Sequence, residues 1–460
     1  MEVLIVIKNK VSILGFPSDV LDEIKKHLTI NNPLFHKRLD MGLQNWGVPS
    51  SLKYWDISKD NDNLIIVPVG ALGEILKIAH AHEIKVVESD IRDQRLSNPK
   101  TTYFSKLEFI GELREYQEDM VKACMSKTIG VVEAMTGSGK TICFVNLTLR
   151  RKEPTLILVH TLELANQTIK SFVKFSNLKE EDIGFIGDGR FEVKPITVGL
   201  HQTMSKLKTD RFNIINERFG QLIGDEIHIV GAETWFRTLN NLNAKFKFGF
   251  TATPKRDDGL TKVIHFASGP IIHKVPKSAL SGFLITPEVE QIKTQYEFQM
   301  FSTQEYQEMI TDLSQDDDRN DFILDHVQSD DSKGKYKVLL CTRISQVEYL
   351  NNALGDESVM LTSKMTKKKR NEVMDELYAG EKKIVISTYG LFSTGIDIPQ
   401  LEILYLCAPI KSEVKLRQAA GRLMRISKGK KKAKIIDFID QKIDILKYQG
   451  YHRNRIFKKL

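Results

Sequence analysis

The segment Ala134-Met135-Thr136-Gly137-Ser138-Gly139-Lys140-Thr141 follows the apolar pair Val131-Val132. Glycines at this spacing let successive amide N–H groups turn into one concavity, and such a nest at a helix N-terminus holds phosphate oxygens. Lys140 then neutralises β- and γ-phosphates, and the Thr141 hydroxyl faces Mg²⁺. The strict form of this pattern has Gly where Ala134 stands, but Thr136, Gly137, Ser138 and Gly139 leave the cradle intact. A mere Gly-rich turn before a helix would not require Lys140 and Thr141 together. A second segment, Asp225-Glu226-Ile227-His228, follows the short apolar run Leu222-Ile223. A carboxylate at a strand end can hold the Mg²⁺ shell while its neighbour orients an attacking water. Asp225 is therefore assigned to metal and Glu226 to general base. Elsewhere an acidic pair after a strand is more often a helix cap. Its place about one sheet's length beyond a phosphate loop favours hydrolysis.

Elements of a definite kind must position these groups. Short apolar runs at Val131-Val132, Leu156 to Val159, Ile196 to Val198 and Leu222-Ile223 alternate with helical patterns. That alternation predicts a parallel sheet with helices on both faces. The pattern repeats at Val338 to Leu340, Ile384 to Ile386, Ile403 to Leu406 and Ile435-Ile436. A smaller α/β module precedes both. Met1 to Ile7, Leu64 to Val67 and Lys85 to Val87 read as its strands. Ser18 reads as the cap of a helix burying Val20, Ile24 and Leu28, and Leu72, Ile75, Leu76 and Ala79 mark another helix. The expected fold is α/β, with two tandem parallel-sheet domains and a small N-terminal domain. The expected boundaries are 1–100, 101–275 and 276–460, and the polar stretch from Ser89 to Lys100 reads as a linker.

Composition agrees with this plan. The 460 residues suffice for about three domains of ~150 residues, and 41 % are hydrophobic. Lys and Arg number 67 against 59 Asp and Glu, a net charge of +8, which fits a polyanionic partner without requiring one. Cys124, Cys143, Cys341 and Cys407 show no metal-ligand spacing and read as buried thiols of a reducing cytoplasm. No apolar run approaches the ~18 residues that span a membrane, and the first residues lack a secretory pattern.

Read in order, the motifs resemble those of superfamily 2 helicases of the DExH type, built from two RecA-like domains, over roughly residues 113–436. Leu113-Arg114-Glu115-Tyr116-Gln117 resembles the segment that reads adenine, which implies Gln117 on the base edge, supported by Arg114. The runs around Thr161, Gly187-Asp188-Gly189 and Gln202 resemble strand-contacting motifs. Thr251-Ala252-Thr253-Pro254 resembles the motif that couples hydrolysis to domain movement. In the second half, Arg343 lies in a fourth-motif position. Thr388, Thr394, Gly395 and Asp397 match the motif touching nucleic acid and nucleotide. Gln418-Ala419-Ala420-Gly421-Arg422-Leu423-Met424-Arg425 matches the last. There Arg422 and Arg425, three apart, are expected on one helix face, reaching the γ-phosphate beside Gln418. The resemblance implies ATP and Mg²⁺ as cofactors and movement along a nucleic-acid strand.

Helicase motifs grip backbone more than bases, so the nucleic acid is read from resemblance. His228 and Gln418 depart from the DEAD-box RNA helicase patterns. Residues 32–56, with Trp46 and Trp55, are similar to the N-terminal domain of phage recombination helicases. That implies forked or branched DNA, in replication, recombination or repair, in the cytoplasm of a tailed phage's host. An RNA helicase and a translocase subunit without strand separation are the alternatives. Trp46 and Trp55 lie near Lys37, Arg38 and Lys53 and could stack on bases at a junction; both could equally be core residues. The run Lys428 to Lys434 is either a phosphate contact or a solvated turn.

Overall fold

The computed structural model describes residues 2–61, 63–92, 103–228, 232–252, 259–300, 302, 305–329, 332–394, 398–427, 429–458 and 460. It divides into two compact units, one of residues 1–135 with 139–276, the other of residues 136–138 with 277–460.

The first unit holds two sheets. The larger runs in the order Arg190–Glu192, Ile183–Gly187, Ile196–Leu200, Thr155–Val159, Gln221–Asp225, Phe246–Thr251, Ile129–Glu133 and Ile271–Lys274. All its pairs are parallel except the first, a hairpin turned at Asp188 and Gly189 with positive φ. The apolar runs read from sequence lie inside these strands. Phe246–Thr251 was not read as a strand because Lys247 and Gly249 interrupt its apolar pattern. In the fold Lys247 is 2 % exposed, and its ammonium donates to the Leu239 carbonyl at 2.8 Å.

The smaller sheet has the order Asp56–Ile57, Leu64–Pro68, Lys10–Leu14, Glu2–Ile7 and Lys85–Asp90. Its last pair is parallel and the rest antiparallel. Ser89 and Asp90, read from sequence as linker, continue the final strand. The helix Ser18–His27 has Pro17 at its N-cap and Ser18 as its first residue, so the expected serine cap is absent. Val20 and Ile24 are nonetheless buried on its inner face.

Val3, Ile5, Ile65 and Val67 of the small sheet, with Val20 and Ile24 of the helix packed on it, share one apolar cluster with Val263 and Phe266 of the helix Thr261–Ser268. The contact leaves no slack at Gly70. A Cβ there would lie 2.2 Å from the His265 carbonyl oxygen and 2.3 Å from that of Phe266. Three residues on, in the helix Leu72–Ala81, a Cβ on Gly73 would meet nothing within 4 Å.

The second unit is a six-stranded, wholly parallel sheet, ordered Glu288–Thr294, Lys434–Asp440, Ile403–Leu406, Lys337–Cys341, Ile384–Thr388 and Ser358–Leu361. Near-continuous burial along its central strands reflects helices on both faces. Two buried ion pairs lock it. Arg319 holds Asp440 at 2.6 Å and Arg453 holds Asp437 at 2.9 Å, all four side chains being at most 2 % exposed. The four cysteines are buried free thiols. Among the described residues no helix is long and apolar enough to cross a membrane.

Overpacking at the Gly70 contact should cost about 1–3 kcal/mol. Gly70→Ala is expected to lower the denaturant midpoint, whereas Gly73→Ala in an open helical site should raise stability by about 0.5–1 kcal/mol. Parallel unfolding curves of the two variants check the pair.

Candidate active site

Sheet order assembles the first unit's site. The strands ending at Asp225, Thr251 and Glu133 lie side by side, with Asp225 paired to Phe250 and Thr251 to Glu133. Their C-terminal ends therefore deliver the acidic segment, the Thr251 segment and the glycine loop to one edge, where parallel α/β sheets bind ligands.

At that edge Gly137 and Gly139 have φ of 88° and 77°, a left-handed backbone that glycine adopts freely. A Cβ on Gly139 would sit 2.5 Å from the Gln117 amide nitrogen. Gln117 is buried, and its side-chain oxygen accepts from the Arg114 backbone N–H at 3.0 Å, while Arg114 donates to the Tyr116 hydroxyl at 3.0 Å. Arg114 and Gln117 thus belong to one structured corner beside the loop. Lys140 and Thr141 open the helix Lys140–Arg151. Thr136, Gly137 and Ser138 group with the other compact unit.

Lys140, 8 % exposed, donates to the Glu226 carboxylate. Glu226 also accepts from the Ala252 N–H at 3.4 Å and lies 3.3 Å from His228. His228 Nδ1 is 2.5 Å from the Thr251 hydroxyl. Glu226 adopts φ of 48°, a strained conformation for a residue with a side chain, and such strain is concentrated at functional sites. Burial alone would raise its pKa, but Lys140 and His228 outweigh burial and hold the carboxyl ionised, well below the usual carboxylate range. Burial wins at Asp225, which is pushed up despite the pull of Lys140. One Asp225 oxygen is buried without a hydrogen-bond partner among the described residues. That orphaned oxygen, the left-handed glycines and the buried ammonium fit a Mg²⁺–triphosphate: Thr141 and Asp225 would hold the ion, and Lys140 the phosphates.

The strand-contacting positions are placed more loosely. Thr161 caps the helix Leu162–Lys174, its hydroxyl accepting from Leu164 N–H at 3.2 Å. Gln202 is exposed on a single helical turn, His201–Met204. In the second unit Arg343 binds Thr311 at 3.2 Å and the Gln307 side chain at 2.8 Å, which ties it to the helix Tyr306–Gln315. Thr388 ends its strand and Thr394 ends the helix Tyr389–Thr394. Gly395 and Asp397, like Thr253 and Pro254, lie outside the described residues.

Gln418 and Arg422 are buried on the helix Glu413–Leu423, and Arg422 donates to the Phe392 carbonyl. The expectation that Arg425 shares this helix is corrected. The helix stops at Leu423, and Arg425 sits beyond it in an isolated bridge to Leu284. Main-chain pairing with the neighbouring segment, including Ile285 N–H to Met424 carbonyl at 2.7 Å, ends the helical run.

Lys430 belongs to the run expected to be either a phosphate contact or a solvated turn, and instead its side chain is buried. It is 8 % exposed, and its ammonium donates to the Leu423 carbonyl and, at 2.9 Å, to that of Arg425. Burial lowers its pKa to about 8. It thus satisfies carbonyls that the end of the helix leaves open, between the two arginines. Gly429, with φ of 86°, makes the turn that brings it back. Within a run of lysines only that glycine hinted that one of them turns inward.

The family model for the type III restriction enzyme res subunit matches residues 110–256, and that for the helicase conserved C-terminal domain matches residues 318–427. A protein of Acanthamoeba polyphaga mimivirus named as an ATP-dependent RNA helicase is 27 % identical, covering 76 % of this chain and 68 % of its own. The ATP-dependent DNA helicase uvsW of Enterobacteria phage T4 is 24 % identical over 82 % of this chain and 79 % of its own. In fold, S. cerevisiae Dbp5 bound to RNA and ADP BeF3 superposes with a TM-score of 0.53 at 14 % identity, covering 76 % of this chain and 93 % of that one. Two matched domains and relatives of this kind define a nucleotide-driven motor. The chain belongs to the superfamily 2 helicases and is an ATP-dependent helicase.

Lys430→Met should leave the Leu423 and Arg425 carbonyls short of a donor, a loss of about 1–3 kcal/mol. The expected outcome is a lower melting temperature and reduced ATP turnover, with ATP affinity nearly kept. Unfolding, nucleotide titration and steady-state hydrolysis separate these effects.

Proposed function

We propose that this helicase acts on DNA and that its substrate is forked or branched, remodelled by unwinding or branch migration in replication, recombination or repair. The observation that carries the hydrolytic part is the ionised Glu226 carboxylate, buried between Lys140 and His228. Lys140 holds the phosphates, Glu226 takes a proton from the attacking water, and Gln117 and Arg114 select adenine. Thr141 and Asp225 would hold Mg²⁺, which would supply positive charge to the phosphates. Arg422 and Arg425 add positive charge, and Gln418 a hydrogen bond, that stabilise the phosphoryl group being transferred, an effect that in arginine fingers is worth about 10³-fold or more. His228 links Glu226 to Thr251, so a change at the phosphates is felt on a strand that leads to the rest of the chain. Gly395 and Asp397 complete the nucleotide contacts. Thr161, Gln202, Arg343, Thr388 and Thr394 contact the strand. Backbone grip of this kind weakens steeply with salt.

DNA is favoured by the phage T4 relative, a named DNA helicase similar over about four-fifths of this chain. The residues 32–56, similar to an N-terminal domain of phage recombination helicases, favour branched substrates. The mimivirus relative's name supports the RNA reading, which the same assay decides.

Lys140→Ala should abolish ATP turnover while thermal unfolding stays cooperative; a variant that still hydrolyses ATP refutes the phosphate assignment. ATP turnover and strand displacement are expected to be highest on forked DNA, lower on blunt duplex and lowest on RNA of the same sequence. A preference for RNA in that comparison overturns the DNA reading.

A further inference from the structure

Residues 32–50 form an excursion between two short paired strands, Thr29–Asn31 and Ser51–Lys53. It begins with the helix Pro33–Asp40, none of whose eight residues is buried, followed by a folded-back turn. The projection is nevertheless well tied. Asn32 donates to the Pro49 carbonyl at 2.8 Å and caps the helix by accepting from Leu34 N–H at 3.1 Å. Arg38 grips the Gln44 carbonyl through two nitrogens, at 2.5 and 3.2 Å. Asn45 donates to the Phe35 carbonyl at 3.2 Å.

On this braced finger stands an indole that is 85 % exposed, Trp46. Its N–H is already used, donating to the Gln44 side chain at 2.7 Å. The ring is held in place, and what it has left to offer is its two faces. Leu34, Leu39, Met41 and Leu43 are each at least half exposed on the same finger. Exposed apolar groups gathered so closely in sequence mark a recognition surface. Lys37 is exposed beside them, with Arg38 half-buried and Asp40 the only acid of residues 32–50. A flat aromatic face, apolar neighbours and cations suit a base with its phosphate better than an acidic or apolar protein surface. Trp55 is different. It packs half-buried against the core, donates to Thr29 at 3.0 Å, and has Lys25 and Lys53 over its ring at 5.5 and 5.3 Å.

The finger is rooted in the ATP-binding unit. A Cβ on Gly259, eight residues beyond Thr251, would touch Pro33 at 3.4 Å. We propose that residues 32–50 are a strand-separating finger, and that Trp46 stacks on the base exposed at the junction of single- and double-stranded DNA. This rests on the DNA-helicase reading above. It separates the two tryptophans, giving Trp46 the base and Trp55 a structural place.

The test uses the full chain and a fork carrying 2-aminopurine at the junction base. Wild-type protein should quench the probe, Trp46→Phe should retain most of the quenching, and Trp46→Ala should lose it. In Trp46→Ala the ratio of fork unwinding to single-strand-stimulated ATP hydrolysis should fall roughly tenfold or more, given the strength of base–aromatic stacking. Tyr448→Ala, which removes another exposed aromatic, should leave that ratio as in wild type. Full quenching and fork unwinding by Trp46→Ala overturns the proposal and leaves the finger as a protein-docking element. Equal loss of unwinding and of single-strand-stimulated hydrolysis also overturns it, because the residue would then serve general binding or folding. If the wild-type chain shows no DNA-stimulated hydrolysis, the DNA reading itself has failed.

Discussion

Glu226 keeps a charged carboxylate at 8 % exposure, and the ammonium of Lys140 is what makes that tolerable. An isolated buried carboxylate would take up a proton, and a protonated Glu226 could not act as a base. The pairing is therefore a condition for chemistry as much as for stability. It also sets a competition, because phosphates arriving at Lys140 draw on the same ammonium that holds Glu226. In the proposed reaction, Lys140 turning to phosphate would free Glu226 for water, while His228 and the Ala252 N–H hold it in place. The positive φ of Glu226 shows that the backbone bears strain to hold that position.

The second unit uses a related device with the polarity reversed. There the functional groups are cations, and what positions them is main-chain oxygen. Arg422 is held by the Phe392 carbonyl, while Lys430 binds the carbonyls of Leu423 and Arg425. A helix C-terminus carries partial negative charge, so a cation there is favoured twice, by hydrogen bonding and by the dipole. Beneath this, Arg319–Asp440 and Arg453–Asp437 fix the helices that flank the strand Lys434–Asp440. Breaking such a buried pair on one side leaves an uncompensated charge.

The sequence made the chemistry legible because phosphate binding and hydrolysis depend on short contiguous segments. The glycine loop, Asp225-Glu226 and the order of the motifs could be read without knowing the fold, and so could the parallel-sheet class. Long-range pairings could not be read in this way. Nothing local to His228 says that it meets Thr251, because only the adjacency of the strands Gln221–Asp225 and Phe246–Thr251 brings them together. Arg425 looked helical by spacing, but a bridge to Leu284 ends the helix before it. Lys430 looked solvated by composition, since burial of one lysine in a run leaves no trace in the others. Trp46 and Trp55 looked equivalent, and only burial distinguishes them.

The contact at Gly70 bears on how the chain could have been assembled. The first ninety residues look like a module that could be added or removed, yet Val263 and Phe266 lie in the same apolar cluster as Val3 and Ile65. A chain begun after that module would present an oily scar on the helix Thr261–Ser268 and would tend to aggregate. The two parts therefore share one core, and a change of volume on one side is felt on the other. Shuffling such a module between motors would need the receiving helix to travel with it.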